Sequence, residues 1–177
     1  PGDTFMADPS RYGGHLNEVR LSKEFVKFNE RCFVRLLGDM RAYNFVVDVI
    51  HDLDQVQYRI RSIDFDQQSY EGRGRIYMPQ FYKENLGYVQ LAQSVIGPEP
   101  AKQYREEERA LMGRRMGLAL DQIERLTEAM HQDEVAPQDH AAQLAEELAE
   151  HHGLAPFLKC TTMGQVLRMQ LRACLGI

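Results

Sequence analysis

The residues best suited to chemistry lie close together in the first third of the chain. Asp39 and Asn44 bound the segment Asp39-Met-Arg-Ala-Tyr-Asn44, and Ile63-Asp64-Phe65-Asp66 follows after two apolar runs. An amide oxygen on a loop and a carboxylate at a strand end are hard ligands of the kind Mg²⁺ takes from protein, one or two at a time, before water completes its shell. Asn44 and Asp64 can share such an ion, with Asp66 as an auxiliary ligand, only if the backbone folds back between them.

The intervening sequence has the pattern that does this. Phe45–Ile50 and Tyr58–Ile63 are rich in Val, Ile, Phe and Tyr, and the second run alternates as a half-buried strand should. His51–Gln57, with Asp52 and Asp54, suits a solvated turn. A hairpin of this length returns Asp64 to the side of Asn44. Upstream, Ser22 offers an N-cap with Glu24 in the first turn, and Phe25, Cys32, Phe33, Leu36 and Leu37 recur at helical spacing up to Gly38. That helix delivers the chain to Asp39. Arg41, inside the loop, is placed to meet either an anionic substrate group or a neighbouring carboxylate.

An Asp–x4–Asn loop, an apolar strand, a turn and a strand closing on Asp-Phe together resemble the catalytic core of protein-kinase-like phosphotransferases. The resemblance implies a mainly α fold with a small β-hairpin, the C-terminal lobe of the kinase-like architecture. It implies Asp39 as catalytic base, Asn44 and Asp64 as Mg²⁺ and cofactor ligands, Asp66 as a further metal ligand, and ATP as phosphate donor. Leu37 and Gly38 stand where protein kinases have His and Arg, and Asp66 stands where they have Gly. The hairpin is also longer, so the likeness is to atypical and small-molecule kinases. Residues 1–38 are too few for the N-terminal lobe with its glycine-rich loop and lysine. The expectation is a missing N-terminal lobe or a partner chain, an isolated chain without turnover, an apolar docking surface and self-association; the phosphoacceptor is not specified. Two other readings stand beside this one. One is a non-enzymatic helical interaction domain, including a pseudokinase; the other is a metal-dependent hydrolase built on Asp64 and Asp66.

The bulk of the chain sets the remaining expectations. Its 177 residues make one domain, 22–177, behind an irregular lead-in at 1–21 ordered by Phe5, Met6 and Leu16. A net charge of −5 argues against a nucleic-acid partner, and no apolar run is long enough for a membrane span. Cys32, Cys160 and Cys174 lack metal-ligand spacing and read as reduced, packed thiols of a cytoplasmic protein. Gly13 and Gly14 read as turn glycines. Gln67–Arg75 reads as a mobile surface loop carrying Arg73 and Arg75, and Ile76–Ile96 as one or two helices. After Gly97-Pro-Glu-Pro100, Ala101–Met130 reads as one long helix in which Gly113 and Gly117 admit a close neighbour. A helix from Asp139 to His152 stops at Gly153, with Glu147 outward and His140, His151 and His152 as surface histidines. A last helix, Met163–Leu175, is capped by Thr161 or Thr162.

Overall fold

The computed structural model describes residues 1–12, 15–52 and 55–177. The fold is mainly α with one small antiparallel sheet. In chain order it runs α1 (Gly2–Ala7), α2 (Glu18–Arg35), β1 (Phe45–Asp52), β2 (Gln55–Ser62), α3 (Leu86–Val95), α4 (Pro98–Gly117), α5 (Leu120–Gln132), α6 (Gln138–His152) and α7 (Met163–Leu175). The expected turn residue Asp54 and the glycines Gly13 and Gly14 lie outside the described residues.

Helix α2 is the shared wall of two hydrophobic clusters. Leu21, Phe25, Phe28 and Cys32 join Phe5, Phe45, Ile60 and Tyr88 in one cluster. Phe33 and Val34 join Leu144, Leu148, Phe157, Val166 and Leu171 in the other. A helix covered on so many sides has few places for a charge, yet Glu30 and Arg31 are both buried in it. Arg31 meets Glu24 at 2.6 Å and Glu108 at 3.3 Å and donates to the Ile60 carbonyl. Burial alone would lower its pKa, but the two carboxylates outweigh that and raise it, so the guanidinium stays charged. Glu24 in turn accepts the Ile60 N–H at 2.8 Å, which fastens β2 to α2.

Several boundaries differ from those read in the sequence. The lead-in is not irregular: α1 docks Phe5 into the core, and the Tyr88 hydroxyl donates to the Gly2 carbonyl at 2.7 Å. Helix α2 starts at Glu18, where the Asn17 side chain accepts the Arg20 N–H, and Ser22 is buried inside the helix rather than capping it. It ends at Arg35, before Gly38, with Leu36 in the left-handed region at φ 50°. That conformation costs a non-glycine residue about 1–2 kcal/mol, a cost comparable to what burying a leucine side chain returns. Strand β1 extends to Asp52 and β2 begins at Gln55, so His51, Asp52 and Gln55–Gln57, expected in the turn, belong to the strands.

Further along, the expected long helix is two. It breaks after Gly117, where Leu118 is 92% exposed, and α5 starts again at Leu120. Of the two glycines expected to admit a neighbour, Gly113 is in van der Waals reach of Leu175 at the end of α7, while Gly117 has nothing near it. It is Gly164, on α7, that lies directly against the Thr127 carbonyl and the His131 amide of α5. Segment 67–75 makes defined contacts with α6: Gly74 N–H donates to Glu147 at 2.6 Å, and Gly72 packs on the backbone of His140. His152 is half-buried, stacked on Phe157 and 2.8 Å from the Gln170 amide oxygen.

Two outcomes follow from this packing. Gly164→Ala has no room for its Cβ between α5 and α7 and should lower stability by about 1–3 kcal/mol in urea unfolding; an unchanged midpoint would mean the helices are not in this contact. Burial, with the nearby His151 and Arg109 charges, holds the His152 pKa below its usual value. Its contribution to stability is therefore full above the unfolded-state pKa of about 6.5 and is lost as pH falls below it. Urea midpoints at pH 7 and pH 5 should drop less in His152→Gln than in the parent chain, and equal drops would refute the assignment.

Candidate functional site

The loop that carries Asp39 is held from three directions. Before it, Gly38 N–H donates to the Gln67 carbonyl at 3.1 Å and Ser69 N–H to the Leu36 carbonyl at 2.8 Å, around a Leu37–Gln68 bridge. A Cβ on Gly38 would come within 2.9 Å of the Gln67 carbonyl oxygen, so glycine permits the close approach of these two segments. From below, the buried Asn85 amide donates to the carbonyls of Met40 and Pro79, both at 2.8 Å. From the side, the Tyr82 hydroxyl accepts the Asp39 N–H at 3.1 Å and donates to the Ile76 carbonyl. Burial pushes the Tyr82 phenol up to about 12, so it holds its proton and keeps this donor role at neutral pH.

Asp39 itself adopts the left-handed conformation, φ 54°, which Asp and Asn tolerate better than other side chains. The Asn44 amide nitrogen donates to the Asp39 carbonyl at 2.8 Å and reaches its carboxylate at 3.3 Å. Both contacts use nitrogen, which leaves the amide oxygen for a cation. Arg41 completes the cluster. Its Nε lies 2.7 Å from Asp39 Oδ1 as an ion pair outside hydrogen-bond alignment, and its guanidinium stacks 5.3 Å from the Tyr82 ring centre. Of the two partners open to Arg41, the structure gives it the carboxylate, with Glu84 at 3.7 Å as a second.

The hairpin returns as its register requires. Phe45 pairs with Ser62, and Ile63 N–H donates to the Asn44 carbonyl at 3.0 Å. Asp64 is therefore the next residue along from Asn44's backbone partner, at the same end of the sheet as the Asp39 loop. One Asp64 oxygen accepts the Asp66 N–H at 3.1 Å, and Asp66 is exposed. Among the described residues, no three His, Cys, Asp or Glu side chains converge as a metal cage, and Asp39, Asp64 and Asp66 do not form one. A site with one amide oxygen and one carboxylate is a different kind, suited to a cation that arrives with its own ligands. Asn44 and Asp64 supply those two group types at one end of the hairpin. His140, His151 and His152 gather no such group either: His140 reaches the Tyr70 carbonyl and His152 the Gln170 amide.

Sequence reasoning missed Tyr82, Glu84 and Asn85. They lie about forty residues beyond the loop they support, in a run of short 3₁₀ turns with no periodic signal. A polar Asn in an otherwise aromatic stretch was the available hint. No family model, curated protein or solved structure matches this chain. No described helix is long and apolar enough to cross a membrane.

Asn44 should behave as an anchor and Asp39 as a working group. Asn44→Asp sets a carboxylate against the Asp39 carbonyl and carboxylate and should lower stability by about 2 kcal/mol. Asp39→Asn keeps a residue suited to the left-handed turn at a site 32% exposed, and should change stability by less than about 1 kcal/mol. Urea unfolding of both variants checks this, and equal losses would remove the distinction.

Proposed function

We propose that this chain is the C-terminal catalytic lobe of an atypical kinase-like phosphotransferase that uses ATP and Mg²⁺. One observation supports the reading: the Asn44 amide is bonded to Asp39 while the Asn44 backbone is bonded to Ile63, the residue before Asp64, at one end of the hairpin. Asp39 takes the proton of the attacking hydroxyl as its oxygen bonds to the terminal phosphorus and the bond to the leaving ADP breaks. Asn44 and Arg41 hold the Asp39 carboxylate in place for that transfer. The Asn44 oxygen and an Asp64 oxygen are the ligands for Mg²⁺, with Asp66 alongside; the ion, when bound, neutralises phosphate charge. The substrate's nucleotide base and the rest of its phosphates need a second surface, which this reading assigns to an N-terminal lobe or partner chain.

A non-enzymatic interaction domain is the second reading, and one feature favours it. Ile63 and Phe65 flank Asp64 and are each 54% exposed, while Tyr43 beside them is 45% exposed. Apolar groups grouped around a site mark a surface for another chain.

The test uses a paramagnetic ion because binding by the single lobe is weak. Mn²⁺–ATP added to the isotope-labelled chain should broaden amide resonances of residues 39–44 and 62–67 selectively, and Asp64→Ala should abolish the effect. The same chain should show no ATP turnover alone. Broadening centred elsewhere, or undiminished in Asp64→Ala, would reject the phosphotransferase site and leave the interaction domain.

A further inference from the structure

A cleft of about 510 Å³ lies between α2, α3 and α4, with Met78 and Gln80 also lining it. Its volume is within the usual range for small-molecule sites. The body is apolar, formed by Phe25, Val26, Phe33, Val89, Ala92 and Ile96. Of the amides that line it, Asn29, Gln80 and Gln93, Asn29 is already engaged at both ends: its nitrogen donates to the Phe25 carbonyl and its oxygen accepts the Gln80 N–H. Asn29 therefore makes little polar demand on a ligand. Phe25 belongs to one hydrophobic cluster and Phe33 to the other, so the cleft opens where the two cores diverge along α2.

Charge gathers at one rim. Arg105 and Arg109 sit four apart on α4, a like-charge spacing that destabilises a helix unless something neutralises it. Arg109 is neutralised by the buried Glu30. Arg105 has no ion-pair partner among the described residues: Glu107 is paired with Lys23 and Lys27 and Glu108 with Arg31, while the adjacent Glu106 pairs with neither and its charge acts on Arg109. His151 of α6 also faces the cleft, its ring packed edge-on to Phe33. The rim thus carries Glu30 against two guanidiniums, one cation in excess.

We infer that this cleft binds a small amphipathic anion, an aliphatic chain ending in a carboxylate, with the chain along Phe25, Phe33 and Val89 and the head at Arg105. The site is independent of the phosphotransferase reading. It explains two features together: an apolar cavity left open beside well-packed cores, and an arginine pair left half neutralised.

Calorimetry of the full chain with dodecanoate, below its micellar concentration, tests this, with dodecyltrimethylammonium as the same chain bearing the opposite charge. Saturable one-to-one binding of dodecanoate is expected, with little binding of the cation. Arg105→Glu, at an exposed residue without an ion-pair partner, should weaken dodecanoate at least tenfold while leaving the circular dichroism unchanged. Ala92→Trp, which fills the cleft, should abolish binding. Absence of saturable binding, equal affinity for both detergents, or no effect of Arg105→Glu would overturn the inference. So would light scattering that finds a dimer dispersed by Ala92→Trp, since a second copy of the chain would then occupy the cleft.

Discussion

One buried guanidinium ties together the elements that everything else leans on. Arg31 sits in the middle of α2, faces Glu24 of its own helix and Glu108 of α4, and donates to the backbone of β2. Removing one partner from such a group leaves an uncompensated charge in the interior, a loss of about 3–5 kcal/mol. Its value is in geometry more than in net stability. Among the described residues the sheet has β1 and β2, and two strands are marginal without something to lie against. Arg31 and Glu24 hold β2 to α2 through Ile60, and the apolar faces of Phe28, Phe45 and Tyr58 fill the space between. The candidate site hangs from the end of that supported hairpin.

The site is accordingly built more from backbone than from side chains. Gly38, Leu36 and Ser69 stitch the segment before Asp39 to the segment after Asp66, while Asn85 and Tyr82 grip the loop between. The first two of these bonds join main chain to main chain, and those of Asn85 and Tyr82 also meet main-chain groups of the loop. What the residue types add is permission: a glycine where two chains touch, and an Asp able to adopt a left-handed turn. The chemistry-bearing groups are then few, and each is oriented by a neighbour.

This division explains what could be read in the sequence. The hairpin was legible because Val, Ile and Tyr alternate against a polar turn, and α6 and α7 because their apolar spacing ends on Gly153 and near Gly176. The return of the chain to Asn44 at Ile63 followed from strand length and register alone. The start of α2 was not legible, since Asn17 and Ser22 are both good caps and only tertiary burial selects between them. Nor was the break after Gly117, where glycine weakens a helix without dictating that it end. The contact of segment 67–75 with α6 depends on Glu147, a residue whose helical pattern marks it as outward-facing. The ion pairs of Glu30 and Arg31 were invisible for the same reason: charge on a helix reads as surface until the helix is known to be surrounded.

The division of the core between two clusters also sets an order of assembly during synthesis. The cluster around Phe28 and Phe45 draws its members from Phe5 to Ala92, whereas the one around Leu144 reaches from Phe33 to the α7 helix and beyond. A nascent chain emerges from its N-terminal side at about 5–20 residues per second. The hairpin and its supports can thus be complete in composition while the far face of α2, with Phe33 and Val34, still waits for α7. Through that interval the helix presents an unpaired apolar side, and the Phe33 carbonyl lacks the Gln170 amide that will later bond it. The residues around Asp39 are thus translated before the C-terminal helices that cover the far face of α2.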